Sequence, residues 1–506
     1  MRERTLVPFI FTDYKKIMKE EQDKVRVEQI GKHAYEIILP PPVPDIELSE
    51  DQSRAMEALD KWLIESKGKK EDWAFALTGS AGTGKTTLIG SFLKTVDKHF
   101  RKLRVCICAP THKAKKVIQQ KTKWSNAETL QALLGLKVDV NLENFDINNP
   151  QFKSIGERRI KDYDLVVVDE SSMVNRDLYT TIEECAKEAG AKVLFTGDTL
   201  QLNPVKETSV SLSLIVPTYR YDLTQVIRQS VTNPLLELLY MLREDIKGGT
   251  SKFLEHIKKY PNSINPMTGE GFVLCDAQGF SDVMNVGFSS KDFNEDRNFC
   301  RYISWTNQSI QDVNKHIRKV VLRRESALVE GELLLCYKTI NSEKLGLLMV
   351  NSDDYIIEKI VGTGSHVEFS NINVTSIVLQ GIDTGSKTKV NVVTPGVENY
   401  KAFVEVHDNL IHKAKYRNGG ARAWIEFFKF REQFVLLETL MENKTLISNK
   451  DIDYGYGITI HKSQGSTYNT VFVNGKDINR NFTEIERKRL WYVALSRASN
   501  KVYIHL

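Results

Sequence analysis

WAFALTGSAGTGKT, residues 73–86, joins a short apolar run to a glycine-rich loop with the pattern G-x-x-x-x-G-K-[ST]. The apolar run predicts a strand and residues 87–96 predict a helix, which is the context that a phosphate-binding loop requires. Glycines let backbone N–H groups turn toward phosphate oxygens, and the helix N-terminus adds positive potential. A chance glycine-rich turn would not need a strand and a helix around it. The stretch therefore predicts a nucleoside triphosphate site.

The side chains of this loop have separate expected roles. Lys85 is expected to reach the β- and γ-phosphates, and the Thr86 hydroxyl is expected to ligate Mg²⁺. The loop residues predicted to contact the nucleotide are Gly79, Ser80, Ala81, Gly82, Thr83, Gly84, Lys85, Thr86 and Thr87.

Short apolar strands alternate with helical stretches from about residue 75 to residue 205. Near-continuous Val, Ile and Leu runs between helices are typical of a parallel sheet covered on both faces. One run, residues 165–168, is followed at once by Asp169 and Glu170. Because ligands bind at the carboxyl ends of such strands, Asp169 is expected to hold Mg²⁺ and Glu170 to polarise the attacking water. An acidic pair that only caps a helix is the alternative.

The composition limits the class of protein. With 506 residues the chain is too long for one core, and 41% apolar with 27% charged residues is typical of a globular protein. No apolar run approaches the ~20 residues that span a bilayer. The N-terminus lacks the pattern of a signal peptide, so a cytoplasmic protein with no membrane partner is expected. The net charge of +5 neither requires nor excludes nucleic acid.

The pattern also divides the chain into segments. A proline-rich run at 39–44 separates an N-terminal segment of unassigned role from the first α/β domain. Between about 326 and 400, short β-branched runs alternate with Gly, Asn and Ser turns, which is typical of a small β-barrel. An aromatic-rich helical pattern follows to about residue 441. A polar excursion at 137–160 predicts a hairpin inserted into the first domain.

Three further side chains bear on the chemistry. Gln201 follows a predicted strand and is expected to contact the γ-phosphate or the attacking water. Arg228 and Arg497 are candidates to stabilise charge on the transferring phosphoryl group from a second domain. The segment YVALSRA, residues 492–498, is interpreted as a helix start. Taken singly, either arginine would more often form a surface ion pair.

Several longer motifs occur in a fixed order along the chain. They are LSEDQ at 48–52, APTHKA at 109–114, ETL at 128–130, SWTN at 304–307, YGITIHKSQGST at 456–467 and YVALSRA at 492–498. Together with the phosphate loop, this series resembles the motifs of superfamily-1 helicases, in detail those of the Dda-like and RecD-like helicases of the 5′-to-3′ branch. The resemblance covers about residues 46–506.

This resemblance implies an α/β fold with two RecA-like P-loop motor domains, a small pin hairpin insertion, and an SH3-like β-barrel domain carrying a helical hook insertion. The implied layout is an N-terminal extension at 1–45, a first motor domain at 46–215 with the pin at about 137–160, a second motor domain at 216–325 and 451–506, and a barrel at 326–450 with the hook at about 400–441. It further implies ATP and Mg²⁺ as cofactors, with Gln52 reading adenine and Gly465 contacting the nucleotide.

The resemblance also implies a single strand lying across both motor domains. Hydroxyls, amides and lysines suit contacts to phosphate and sugar that do not read sequence. The residues expected to contact nucleic acid are Pro110, Thr111, His112, Lys113, Asn307, Thr459, His461, Lys462 and Ser463. In the pin, Phe145 or Phe152 is the candidate wedge against the last base pair, and local packing is the alternative for each.

The implied function is that of an ATP-dependent 5′-to-3′ DNA helicase that moves on single-stranded DNA and separates duplex as a monomer, in phage or bacterial replication, recombination or repair. Two alternatives stay open. One is a translocase that mainly removes proteins from single strands, and the other is an RNA-directed helicase, since no residue visibly reads a 2′-hydroxyl. A non-hydrolysing clamp is disfavoured by Glu170, Gln201 and Arg497. Single-strand-binding and replication proteins are further candidate partners.

Overall fold

The computed structural model describes residues 26–31, 34–38, 48–100, 102–138, 152–154, 156–204, 207–225, 233–342, 346–416 and 420–506. The chain divides into two compact units, residues 1–49 and residues 50–506. In the first unit, strand β1 (Arg26–Gly31) pairs with strand β2 (Ala34–Ile38) as an antiparallel hairpin. All elements described below belong to the second unit. In the described part of the chain no helix is long and apolar enough to cross a membrane.

A six-stranded parallel sheet forms the centre of the first α/β domain. The strands of this part of the chain are β3 (Ala74–Gly79), β4 (Val105–Ala109), β5 (Ala127–Thr129), β6 (Leu136–Val138), β7 (Phe152–Ser154), β8 (Leu165–Val168), β9 (Lys192–Gly197) and β10 (Tyr219–Leu223). Their order across the sheet is β10-β3-β9-β8-β4-β5. Every residue of β3, β4 and β8 is buried, because helices cover both faces of the sheet. The predicted parallel α/β sheet is confirmed.

The helices of the first domain connect these parallel strands. They are α1 (Glu50–Glu65), α2 (Lys85–His99), α3 (His112–Thr122), α4 (Leu130–Leu133), α5 (Arg176–Ala189) and α6 (Leu212–Ile215). Short 3₁₀ turns at Arg159–Asp162 and Ser171–Met173 flank β8. In α3 the Thr111 hydroxyl accepts the backbone N–H of Ala114 at 3.1 Å, which caps the helix start.

The excursion predicted at 137–160 begins and ends near two short strands, which pair as a hairpin. Strand β6 pairs antiparallel with β7, and Val138 lies opposite Phe152. Phe145 lies outside the described residues, and so does the side chain of Phe152. The hairpin pairing therefore stands, while the choice of wedge residue stays a prediction.

The second half of the chain contains a parallel sheet interrupted by an antiparallel one. Its strands are β11 (Asn262–Ile264), β12 (Gly271–Cys275), β13 (Cys300–Ser304), β14 (Leu333–Cys336), β15 (Ile340–Ser342), β16 (Gly346–Met349), β17 (Asp354–Ser365), β18 (Asn373–Gly381), β19 (Lys387–Val393), β20 (Leu440–Glu442), β21 (Thr445–Ser448), β22 (Ile452–Tyr454), β23 (Gly457–Thr459), β24 (Tyr468–Asn474) and β25 (Ala498–His505). Its helices are α7 (Pro234–Gly248), α8 (Lys252–Lys259), α9 (Ala277–Ser289), α10 (Lys291–Glu295), α11 (Asn307–His316), α12 (Val397–Tyr416), α13 (Gly420–Arg431), α14 (Gly475–Ile478) and α15 (Glu484–Leu495), and a π turn at Ile317–Val321 extends α11.

The second α/β domain is built on the sheet β11-β12-β25-β24-β13-β23. All neighbours in it are parallel except β11 and β12. Strand β25 lies in the interior, paired with β12 on one side and β24 on the other. Helix α15 is buried against this sheet, and Trp491 and Tyr492 are both fully buried in its core.

The antiparallel sheet has the order β19-β18-β17-β14-β22, so strand β22 at 452–454 belongs to it. Helices α12 and α13 pack on each other beside this sheet through an aromatic cluster. The helical pattern that was expected to reach residue 441 ends at Arg431. Residues 434–436 are extended instead, because the Val435 backbone N–H donates to Asn391 O at 2.8 Å and its carbonyl accepts the N–H of Val393 at 2.9 Å. These hydrogen bonds connect the segment to β19. Pairing with the sheet therefore overrides the helix propensity of residues 434–436.

Candidate nucleotide site and nucleic acid interface

The loop between β3 and α2 has the backbone that the glycines predict. Gly82 and Gly84 have φ angles of 89° and 77°, a region that glycine enters without strain. A Cβ atom on Gly79 would lie 2.7 Å from Thr83 Oγ1 and 2.9 Å from Leu223 Cβ. The loop therefore approaches its surroundings too closely for a side chain at that position.

Two side chains brace this loop from either side. Lys85 Nζ donates to the backbone oxygens of Gly79 at 2.7 Å and Ser80 at 3.1 Å, so its ammonium lies across the loop. On the other side, the buried amide of Gln52 in α1 donates to Gly84 O at 3.3 Å. The sequence-predicted residues Gln52 and Lys85 are thus brought together with the loop.

The two predicted carboxylates stand at the carboxyl end of β8, beside the loop. The Thr196 hydroxyl donates to Asp169 Oδ1 at 3.2 Å. Burial raises the pKa of Asp169, although Lys85 opposes the shift. Burial, and then the neighbouring Asp169 carboxylate, raises the pKa of Glu170, against the opposing effect of Arg497 and Lys85. A pair whose charge is disfavoured in this way gains from a cation or a proton held nearby.

Glu170 also has an unusual backbone and a neighbour from the second domain. Its φ of 50° lies in the left-handed region, which is costly for a residue with a side chain and occurs often at functional sites. A Cβ on Gly465 would lie 3.9 Å from Glu170 Oε1, so the two residues are close. Gly465 itself has a φ of 77°. The sequence-predicted residues of both domains therefore meet at Glu170.

Among the residues that the structure describes, no group of three or more His, Cys, Asp or Glu side chains forms a ready-made metal site. The oxygen donors near the loop are the Asp169 carboxylate and the Thr86 hydroxyl, which belong to the donor class that Mg²⁺ prefers. Magnesium usually takes only one or two carboxylates and completes its shell with phosphate and water. The donor set therefore fits a Mg²⁺ that arrives with a nucleotide.

Helix α15 of the second domain reaches across to the first domain through two residues that sequence reasoning missed. The fully buried Tyr492 donates its hydroxyl to Asp198 Oδ2 at 2.7 Å and accepts the backbone N–H of Ala81 at 3.1 Å. Arg489 donates to the backbone oxygens of Thr199, at 2.7 Å, and Gln201. One helix face thus holds both the phosphate loop and the segment that follows β9.

Burial, together with the adjacent Asp198, raises the pKa of the Tyr492 hydroxyl well above its usual range. The hydroxyl therefore stays protonated and remains the donor in its bond to the carboxylate. The only sequence signal for this contact is the three-residue spacing of Arg489 and Tyr492, which puts both on one helix face. Nothing in the letters of a single sequence says which face meets another domain.

The predicted Gln201 and Arg497 both lie at this junction. Gln201 is buried, and its Oε1 has no hydrogen-bond partner in the described part of the chain. Arg497 is buried and donates to Ser466 O at 3.2 Å and to Ser496 Oγ at 2.8 Å. It follows the end of α15 at Leu495 and does not stand at a helix start. Arg228 lies outside the described residues.

A cavity of about 690 Å³ opens beside the first residues of the loop. Its lining includes Ser80, Asp198, Asp222, Tyr240 and Arg243, so it lies between the ends of the first-domain strands and helix α7. This volume falls in the range of ligand pockets, roughly 300–1,000 Å³.

The predicted nucleic acid contacts do not share one environment. Asn307 and His461 are exposed at the carboxyl ends of β13 and β23, and His112 is half-buried at the start of α3. Burial lowers the pKa of His112, so its neutral ring is favoured. The other predicted contacts that are buried by their own domain are Pro110, Thr459 and Ser463. Thr111 serves as the cap of α3.

Two lysines that were expected to contact the nucleic acid strand instead face the antiparallel sheet. Lys113 is buried, and its Nζ lies 3.4 Å from Asp354 Oδ2 and 3.3 Å from Ser352 O. Lys462 Nζ donates to Asn351 Oδ1 at 3.1 Å, and burial lowers its pKa to about 8. The physical reason is local: the loop between β16 and β17 offers these ammonium groups anionic and amide oxygens.

Comparisons with known proteins agree with this arrangement. A family model described as an AAA domain matches residues 47–259, and one described as a UvrD-like helicase C-terminal domain matches residues 454–505. The ATP-dependent DNA helicase dda of Enterobacteria phage T4 is 21% identical over 479 residues, which covers 90% of this chain and 99% of that protein. The ATP-dependent RecD2 DNA helicase of Deinococcus radiodurans is 32% identical over 197 residues, which covers 36% of this chain and 25% of that protein.

The fold is also similar to a solved structure. The Pif1 helicase from Bacteroides, in complex with ADP-AlF3 and single-stranded DNA, covers 90% of this chain with 92% of its own length, at a TM-score of 0.50 and 16% identity. This likeness shows a shared fold, with RecA-like parallel sheets at its centre.

Proposed function

Since the chain belongs to the superfamily-1 helicases, we propose that it is an ATP-driven motor that moves 5′ to 3′ along single-stranded DNA and separates the duplex ahead of it. The first and second α/β domains are then the two motor domains. The antiparallel sheet, with α12 and α13, is the SH3-like barrel and its hook. The proposal includes a role in phage or bacterial DNA replication, recombination or repair, and the relatives named as DNA helicases in a phage and a bacterium support action on DNA.

One observation carries the proposal. Residues of α15 in the second motor domain hold the phosphate loop and the β9 segment of the first, through Tyr492 and Arg489. A nucleotide held by the loop therefore acts on both domains at once, and the loss of its γ-phosphate changes contacts on both sides. Such a junction couples hydrolysis to domain movement, which a simple phosphotransferase does not need.

The residues of the first motor domain supply the chemistry. Lys85 neutralises charge on the β- and γ-phosphates, and Glu170 takes a proton from the attacking water. Burial and the neighbouring Asp169 raise the pKa of Glu170, which strengthens its affinity for the proton that it accepts. Gln201, whose Oε1 has no hydrogen-bond partner among the described residues, orients that water or senses the γ-phosphate. Thr86 and Asp169 would hold Mg²⁺, which would neutralise phosphate charge.

The second motor domain stabilises the charge that develops on the phosphoryl group. Arg497 is the candidate within the described residues because its charge already acts on Glu170. Arg228 is proposed for the same task from its position in the motif series. Gly465, which lies beside Glu170, has a φ of 77°, a backbone conformation that favours glycine.

The single strand is proposed to cross the carboxyl ends of both sheets. His112, Asn307 and His461 line that edge and carry groups suited to phosphate and sugar. The hairpin of β6 and β7 is proposed as the pin, with Phe145 or Phe152 as the wedge. We further propose that the protein is a monomer and that it contacts single-strand-binding proteins.

The deciding experiment uses partial duplexes with a 5′ tail, a 3′ tail or no tail. The proposal expects ATP-dependent displacement on the 5′-tailed DNA and little on the others, and ATP hydrolysis stimulated more by single-stranded DNA than by RNA. Glu170→Gln is the matched control because it keeps strand binding and removes turnover. Stronger stimulation by RNA, or displacement from a 3′ tail, contradicts the proposal. Protein removal without strand separation favours the protein-displacing translocase.

A further inference from the structure

Residues 350–354, here called the β16–β17 loop, receive lysines from both motor domains. Lys113 and Lys116 come from α3 in the first domain, and Lys462 comes from the segment after β23 in the second. The family resemblance assigns Lys113 and Lys462 to the strand. The loop is therefore a place where three lysines converge, two from α3 and one from the segment after β23.

Each lysine has its own acceptor on the loop. Lys113 Nζ is 3.4 Å from Asp354 Oδ2 and donates to Ser352 O at 3.3 Å. Lys116 Nζ is 3.7 Å from Asp353 Oδ2, with both side chains largely buried. Lys462 Nζ donates to Asn351 Oδ1 at 3.1 Å. The loop thus offers carboxylates, a carbonyl and an amide oxygen.

The β16–β17 loop contains one unfavourable backbone conformation and one buried carboxylate. Ser352 has a φ of 68°, in the left-handed region that a residue with a side chain rarely adopts. Its N–H donates to Cys336 O at 2.8 Å, which fixes the turn. Asp353 Oδ1 is buried without a hydrogen-bond partner in the described part of the chain, and burial raises the pKa of Asp353 to about 6. The Lys116 contact is therefore the main one that favours its charged form.

Asp354 is not held in place by the lysines. The fully buried Arg301 of β13 binds both carboxylate oxygens of Asp354, at 3.3 Å and 3.2 Å. This bidentate pair fixes the β16–β17 loop to the second motor domain. Lys113 is an additional partner of Asp354 that comes from the other motor domain. Its bond can break without removing the partner on which Asp354 depends.

Carboxylate and carbonyl oxygens present to a lysine the same chemistry as the phosphate oxygens of a nucleic acid. A lysine ammonium that contacts the loop does not at that moment contact a phosphate. We propose that the β16–β17 loop occupies the lysines of both motor domains and competes with the single strand for them, so that the loop lowers the affinity for the strand. This rests on the proposed function, in which the strand contacts His112 and His461, the chain neighbours of Lys113 and Lys462.

The test measures binding of a labelled oligo(dT) by fluorescence anisotropy over a range of salt concentrations. Asp353→Asn removes the charge that holds Lys116 and leaves the Arg301–Asp354 pair untouched. We expect the dissociation constant to fall about three- to fivefold, and the slope of log K against log salt to steepen by about 0.7 for one freed cation. Asp383→Asn is the matched control, because it removes one exposed charge near Asp353.

A second variant separates competition from general electrostatics. In a Lys116→Met background the effect of Asp353→Asn should vanish, because the lysine that it frees is absent. Unchanged melting temperatures of all variants exclude loss of fold. Equal effects of Asp353→Asn and Asp383→Asn, persistence of the effect without Lys116, or weaker binding by Asp353→Asn overturns the competition. If the wild type fails to bind oligo(dT) at all, both the proposed function and this inference fall; if it binds and Asp353→Asn changes nothing, only the inference falls.

Discussion

Tyr492→Phe removes one hydroxyl from the junction of the two motor domains and keeps the buried ring. The hydroxyl donates to Asp198 at 2.7 Å and accepts the N–H of Ala81 at 3.1 Å. A hydrogen bond to a charged group contributes about 1.5–3 kcal/mol, and a neutral one about 0.5–1.5 kcal/mol. The sum is at least about 2 kcal/mol, which corresponds to about thirtyfold in an equilibrium constant.

The loss should fall on the closed arrangement of the domains, because both bonds join residues of different domains. We therefore expect kcat/KM for strand-stimulated ATP hydrolysis to fall about thirtyfold, with a much smaller change in melting temperature than a core cavity would cause. The assay is a coupled ATPase measurement with saturating oligo(dT), with kcat and KM determined separately, beside a thermal unfolding curve.

Tyr468→Phe is the matched control for this prediction. Tyr468 is also a buried tyrosine of the second motor domain, and within the described residues its hydroxyl has no hydrogen-bond partner. Its removal should leave ATP hydrolysis unchanged. If Tyr492→Phe keeps the stimulated rate within about twofold of wild type, the hydroxyl does not couple the domains and the reasoning is refuted.

Three further predictions follow from the site. Lys85→Ala should abolish ATP hydrolysis, because no other described cation contacts the carbonyl oxygens of the loop; turnover in that variant, measured by phosphate release, would remove the site assignment. Burial lowers the pKa of Lys462 to about 8, so the ammonium is largely charged at pH 7 and largely neutral at pH 9. Oligo(dT) affinity should therefore fall as the pH rises from 7 to 9, and the salt slope should shrink with it; a Lys462→Arg variant, which keeps its charge, should lose this dependence, and an unchanged wild-type profile would contradict the strand contact. Phe145→Ala or Phe152→Ala should slow strand displacement while single-strand-stimulated ATP hydrolysis persists; normal displacement by both variants would eliminate the pin assignment.

The sequence predicted those parts of the site in which neighbouring letters determine the geometry. The phosphate loop is one example, because its glycines, its lysine and the flanking strand and helix are contiguous. Asp169 and Glu170 are another, because a buried strand ends directly before them. Both were placed correctly beside the loop since the carboxyl ends of parallel strands share one edge.

The sequence did not predict the contacts between segments that lie far apart along the chain. Lys113 was expected to contact the nucleic acid strand. Its partner Asp354 lies 241 residues away along the chain, and no local pattern links the two residues. Tyr492 and Arg489 were missed for the same reason. The aromatic helical pattern that was expected to run to residue 441 is interrupted because Val435 finds sheet partners in β19. Tertiary pairing decided each of these cases against the local signal.

The interior position of strand β25 has a consequence for how the molecule folds. This strand comes last along the chain of all the strands in its sheet, yet it lies between β12 and β24 and pairs with both. During synthesis, β12 therefore has no neighbour on its inner side until residues 498–505 leave the ribosome. The second sheet must keep a gap open or form late, since non-local pairings of this kind are slow. Deletion of residues 498–505 should yield a chain whose first motor domain folds while the second exposes two unpaired strand edges to chaperones and proteases.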